Sequence, residues 1–139
     1  MILLDTNIVS EFMKPQPHPS VIDWLDEQVS ETLFLSSVTI AELHFGVAAL
    51  PDSKRKVRIG AAVDRLMKAY RGRVLPFDVE AAKQYAQLAM TAKKKGRGFP
   101  MPDAFIAAIA AVQGFTVATR DTAPFEAAGL DVINPWAKG

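Results

Sequence analysis

The stretch "ILLDTNIVSEFM" (residues 2–13) decides the fold. It opens on apolar residues without alternation, the pattern of a short strand covered on both faces. Behind Asp5 the period changes: "NIVSEFM" makes a short helix, stopped by the proline-rich "KPQPHP". A buried strand that feeds straight into a helix opens a β–α unit. Asp5 stands at the joint. It reads either as the cap of the helix or as one corner of a charged site.

The alternation continues along the chain. "ILLD" (2–5), "LFLS" (33–36), "RVLPF" (73–77), "FTVAT" (115–119) and "DVIN" (131–134) are brief apolar runs of strand type. Helical segments lie between them. "SVIDWLDEQ" gathers Val21, Trp24 and Leu25 on one side, and "SSVTIAELHFGVAAL" begins with serines suited to an N-cap. "SKRKVRIGAAVDRLMKAY" sets Val57, Ala61, Leu66 and Tyr70 near helical spacing. "VEAAKQYAQLAMTAKKK" follows the N-cap candidate Asp78 and closes on Gly96, while "PDAFIAAIAAVQG" starts at Pro102 and stops at Gly114. The expected architecture is an α/β/α sandwich with a mostly parallel sheet of about five strands, one domain over residues 1–139.

Composition narrows the function classes. With 139 residues, half of them hydrophobic, the chain can bury a real core and is neither disordered nor fibrous. Lys and Arg exceed Asp and Glu by 16 to 15, so global charge neither demands nor forbids a nucleic-acid partner. The absence of cysteine excludes disulfides and thiolate metal sites. No apolar run reaches membrane-spanning length and the N-terminal one is too short for a signal peptide, so a cytoplasmic protein is expected, with no membrane partner.

In open α/β sheets, functional groups collect beyond the carboxyl ends of the strands. Asp5 ends the first strand, Asp121 follows "FTVAT" through Arg120, and Asp103 sits in the first turn of its helix. Each has a local alternative: a cap for Asp5, dipole complementation for Asp103, a turn before "TAPF" for Asp121. Glu42 comes from a helix interior. Val38, Phe45, Gly46 and Ala49 place it on a largely apolar stripe, and positions 38–50 hold no Lys or Arg to neutralise it. A buried carboxylate there needs a cation.

Several carboxylates in one pocket repel each other unless a hard cation neutralises them. An all-oxygen set points to Mg²⁺ or Mn²⁺ rather than zinc, and such ions serve phosphodiester hydrolysis by a water nucleophile. Two other readings compete. "DTN" near an N-terminal strand invites an aspartyl-nucleophile phosphatase, but that chemistry wants a second acid where Asn7 stands, and an amide cannot shuttle a proton. The other is a non-catalytic nucleic-acid- or protein-binding module with a degenerate acidic pocket. His18 and His44 lack ligand spacing and read as surface or packing residues.

Four segments in order, "LLDTNIVSE", "SSVTIAELHFGV", "PDAFIAAIA" and "VATRDTAPFEAAGLDVINPW", span nearly the whole chain. Together they resemble the PIN-domain family, specifically the VapC-type toxin ribonucleases of type II toxin–antitoxin pairs and their FitB-like branch. The resemblance implies a Mg²⁺- or Mn²⁺-dependent endoribonuclease. It makes Asp5 and Asp103 the principal metal ligands, with Glu42 completing the site and Asp121 holding a second ion or a water. Thr6, Asn7 and Thr119 match polar positions beside these acids and are expected to support them by hydrogen bonds. Many close relatives carry Asn after the "TR" pair and Asp just before the Phe, where this chain has Asp121 and Pro124.

Candidate contacts to RNA are the "KKKGRGF" cations Lys93, Lys94, Lys95 and Arg97, together with Arg120. The alternative for the lysines is a solvated helix end that complements the dipole. Phe99 reads either as a base-stacking or as a packed ring. The resemblance further implies a homodimer, a cognate VapB-like antitoxin and operator DNA reached only through that antitoxin. The antitoxin is expected to lay a helix in a groove near Phe12, Met13, Trp24 and Leu25 and to push a basic side chain at the acids.

Overall fold

The computed structural model describes residues 1–137. Five strands, β1 (Ile2–Leu4), β2 (Leu33–Ser36), β3 (Val74–Leu75), β4 (Thr116–Ala118) and β5 (Val132–Ile133), form one parallel sheet in the order β3-β2-β1-β4-β5. Seven helices connect them: α1 (Thr6–Phe12), α2 (Pro19–Asp26), α3 (Ser37–Ala48), α4 (Lys54–Ala69), α5 (Val79–Lys94), α6 (Met101–Gln113) and α7 (Thr122–Ala127). Short 3-10 turns occupy Ser30–Thr32 and Pro135–Ala137.

Strand geometry divides the core in two. Successive side chains of a strand point to opposite faces. Leu3 and Val117 therefore join a cluster with Leu88, Ile106, Ile109 and Phe125, under α5, α6 and α7. Their neighbours Leu4 and Ala118 join Ile8, Val9, Val21, Trp24, Leu43 and Val63, under α1 to α4. The chain moves outward from β1 to β2 and β3, then returns across the sheet to β4 and β5. Right-handed crossovers in the two directions put the two helix sets on opposite faces. The sheet order reverses beside β1, and that is where a site belongs in such folds.

Local chemistry sets the element ends. Ser36 caps α3 by accepting the Thr39 amide at 3.0 Å, and Asp78 caps α5 through the Ala81 amide at 3.0 Å. His18 caps α2, its Nδ1 accepting the Ser20 amide at 3.1 Å. Gly114 ends α6 with φ of 70°, a left-handed conformation that side chains resist.

Two expectations need correction, and one helix goes unread: "TAPF", directly after Asp121, opens α7, short enough for its alanines and Pro124 to hide the period. The stripe on α3 has the expected spacing but faces outward: Glu42 is exposed and Phe45 is 75% exposed. Only Thr39 and Leu43 of that helix are buried, because α3 packs through a different side. Val57 likewise points away from the core, and Val63 is the buried residue of α4.

Candidate active site

The joint between β1 and α1 carries the first acid. The Asp5 amide extends the β1–β4 ladder by donating to the Ala118 carbonyl at 2.9 Å. Its carboxylate, 4% exposed, accepts the Thr6 amide at 2.8 Å on Oδ1 and the Thr119 hydroxyl at 2.8 Å on Oδ2. Asp5 is thus the cap of α1 as well as the floor of a cavity. Asn7 Nδ2 reaches the same Oδ2 at 3.4 Å and Thr119 Oγ1 at 3.3 Å, while its Oδ1 accepts the Arg120 amide at 3.3 Å. Thr119 Oγ1 also accepts the Asp121 amide at 3.0 Å. These bonds tie the end of β4 to the start of α1.

A second network orients Glu42. The Thr6 hydroxyl donates to Glu42 Oε1 at 2.8 Å. Its single proton being committed, the 2.9 Å contact between Thr6 and Thr39 hydroxyls has Thr39 as donor. Thr39 in turn accepts from Ser36 Oγ at 3.3 Å. The chain of hydroxyls runs one way, from the end of β2 to the Glu42 carboxylate.

Asp5, Glu42 and Asp103 line one cavity of about 380 Å³, with Thr6, Asn7, Ser10, Glu11, Lys14, Arg120 and Trp136. Asp121 is exposed at the start of α7 and is not part of that lining. It still lies near enough for its charge to act on Asp5 and Asp103. Burial first, then the charges of Asp5, Asp121 and Glu42, push the Asp103 carboxyl up to about 6. Burial also raises Asp5, against the hydrogen bonds from Thr119 and Thr6 that favour its ionised form.

The donor set suits a hard divalent cation. Among the described residues no three acids or imidazoles stand as a closed cage for one ion. Asp5 and Asp103 facing a polar cavity suit a Mg²⁺ that uses one or two carboxylates and keeps much of its water. The two raised carboxyls carry the repulsion such an ion would relieve.

Of the expected cations, only Arg120 lines the cavity, its guanidinium 5.2 Å from the centre of the Trp136 ring. Lys93, Lys94, Lys95 and Arg97 are exposed at the end of α5, around the Gly96 turn, and do not line it. Phe99 packs edge-on against Phe125 at 5.8 Å. His44 is exposed on α3.

Sequence reading missed four residues: Ser36 and Thr39 of the hydroxyl chain, and Glu11 and Lys14 at the rim. Spacing offered a signal for the second pair. Glu11 is four residues after Asn7 and Lys14 three after Glu11, so the three share one side of α1 and its continuation. Thr39 is three residues before Glu42, but its link to Thr6 spans 33 residues and has no local trace.

A parallel sheet flanked by helices, with carboxylates gathered beyond its central strands, defines an α/β/α protein with its polar site at the switch in strand order. The chain belongs to the PIN-domain family, in its VapC-type, FitB-like branch: the family model for the PIN domain matches residues 2–130. It is 51% identical over 137 residues to the VapC ribonuclease Y4jK of Sinorhizobium fredii, covering 98% of both chains. It is 44% identical over 137 residues to the toxin FitB of Neisseria gonorrhoeae, covering 98% of this chain and 99% of that one. A solved structure of FitAB bound to an IR36 DNA fragment superposes with a TM-score of 0.95 at 43% identity, covering 100% of this chain and 98% of that chain.

Proposed function

We propose that this chain is a Mg²⁺- or Mn²⁺-dependent endoribonuclease, the toxin of a toxin–antitoxin pair. The observation that carries the reading is the convergence of Asp5, Glu42 and Asp103 on one cavity. Relatives named as a VapC ribonuclease and a FitB toxin at near-complete coverage support it.

In this reading Asp5 and Asp103 hold the ion. Bound there, it supplies the charge that lowers the pKa of a nearby water and offsets negative charge gathering on phosphorus. Thr119 and the Thr6 amide fix the Asp5 carboxylate in one orientation. Glu42 accepts the proton of the attacking water, oriented by the Thr6 hydroxyl. Asp121 adds charge at the edge of the cavity. Asn7 is fixed between Asp5 and the Arg120 amide, which gives it a supporting role and puts an amide where phosphatase chemistry wants its second acid.

The partner reading follows from a second groove. About 550 Å³ between α1, α3 and α4 is walled by Met13, Leu43, Val47, Leu50 and Ile59 and rimmed by arginines that include Arg58. It adjoins the acidic cavity at Thr6, Ser10, Lys14 and Glu42. We assign the VapB-like antitoxin to it, with operator DNA reached through that partner. Of the apolar residues expected to form such a groove only Met13 lines it: Trp24 is buried in the core, Leu25 packs against that core, and Phe12 is exposed outside the groove.

The test is cleavage of RNA by the purified protein with Mg²⁺, Mn²⁺ or chelator, beside Asp5→Asn. Activity with either metal, lost in chelator and reduced at least about a hundredfold in the variant, is expected. Undiminished cleavage by Asp5→Asn would remove the metal-ligand role.

A further inference from the structure

Glu11 is an anomaly of the cavity wall. It is a carboxylate only 6% exposed, in a helix seven residues long. Neighbours cover it from close by: Lys14 donates to Oε1 at 2.9 Å, and the His18 amide donates to Oε2 at 2.9 Å. Those two bonds, the lysine first, hold its carboxyl below the ordinary range. The His18 contact crosses the "KPQPHP" loop and pins α1 to the cap of α2.

The consequence falls on Lys14. Its ammonium is fixed on a shielded anion, yet its side chain is 56% exposed. One of its donors is committed to Glu11, and an ammonium has three. Lys14 and Arg120 are the Lys and Arg residues that line the acidic cavity, and Lys14 alone of the two also lines the groove beside it. A polyanionic strand approaching Asp5, Glu42, Asp103 and Asp121 meets repulsion that cations at the rim must offset. The lysines at the end of α5 line neither cavity.

We propose that Lys14 binds a backbone phosphate of the RNA strand entering the acidic cavity, and that Glu11 is the positioning residue that holds it there. This rests on the nuclease reading above, and it replaces Lys93 to Lys95 as the first phosphate contact. Glu11 acts through Lys14 and does not touch substrate.

The experiment compares Lys14→Ala, Lys14→Arg and Glu11→Gln in steady-state RNA cleavage with Mn²⁺. It repeats the comparison in equilibrium binding on an Asp103→Asn background, so that binding does not depend on turnover. The probes are bulk tRNA and a labelled single-stranded RNA of mixed sequence. Lys14→Ala is expected to raise KM and Kd about five- to tenfold with kcat nearly unchanged. The slope of log affinity against log salt should fall by about 0.7, the share of one phosphate on a single strand. Lys14→Arg restores both, and Glu11→Gln reproduces part of the loss with KM moving more than kcat. Equal Kd and salt slope for Lys14→Ala and its parent would overturn the proposal even if cleavage is robust. So would failure of the Asp103→Asn protein to hold either RNA. Absence of cleavage with intact, Lys14-dependent binding would instead sink the nuclease reading and leave the phosphate site standing.

Discussion

A single hydroxyl, that of Thr119, serves both ends of the site. It donates to the buried Asp5 Oδ2 and accepts the Asp121 amide, so the two acids are positioned from one atom. Thr119→Val keeps the shape and removes the hydroxyl. Leaving a buried carboxylate short of a donor costs about 1–3 kcal/mol. The loss should exceed that of an exposed Thr→Val change and grow as Asp5 ionises. Urea unfolding of Thr119→Val at pH 5 and pH 8 checks this, and a loss that is equal or smaller at pH 8 contradicts it. Glu42 shows what residue-level reading could not supply. Its neighbours at helical spacing are apolar, so burial was the natural expectation, yet Phe45 on the same stripe is 75% exposed. Hydropathy of a stripe does not say whether the partner that covers it is in the same chain. Glu42 is oriented instead by Thr6, and through it by Thr39 and Ser36.

At the scale of elements, the strands were legible because each is brief, apolar and bounded by helix signals. Serine and aspartate caps announced α3 and α5 in the same way, while α7 is only six residues long and too short to show a period. Glycines test whether helix ends are understood. Gly114 has φ of 70°, and a Cβ added there would meet nothing within 4 Å, so the cost of Gly114→Ala is purely backbone. About 1 kcal/mol of stability should be lost with cleavage unchanged. Gly60 lies inside α4 with ordinary dihedrals, and an added methyl would meet Val47 at 3.6 Å, a normal contact. Gly60→Ala should therefore gain about 0.5–1 kcal/mol. Denaturant midpoints of the two variants moving in the same direction would show that one of these environments is misread.

Over the whole molecule, near-neutral net charge hides a local concentration of acid. Asp5 and Asp121 come together beyond the central strands because β1 and β4 are adjacent although the two acids are far apart in sequence, and Glu42 and Asp103 join them from α3 and α6. For Asp5 and Asp121 that placement was legible from the strands they follow, while the other two acids reach the site from helices. Of the rim cations Arg120 was legible beside Asp121, whereas the placing of Lys14 was not, because it depends on Glu11, which is itself tied to the loop before α2. The acid cluster makes stability depend on pH and metal together. Asp103 moves from 3.8 to about 6 on folding, so the folded protein binds the extra proton between those values. Raising pH strips it, and the metal-free protein loses stability across roughly pH 4 to 6 on account of this group. A divalent cation competes with that proton for Asp103 and meets an ionised carboxylate there above the window. Melting temperatures in chelator should therefore place Asp103→Asn above its parent at pH 7.5, with the gap closing toward pH 4.5. Adding Mg²⁺ should raise the parent at pH 7.5 more than at pH 5, and Asp103→Asn little at either, since binding to the folded state alone stabilises it. A gap that widens toward acid, or equal Mg²⁺ stabilisation of parent and variant, would mean that Asp103 neither carries the strain nor holds the ion.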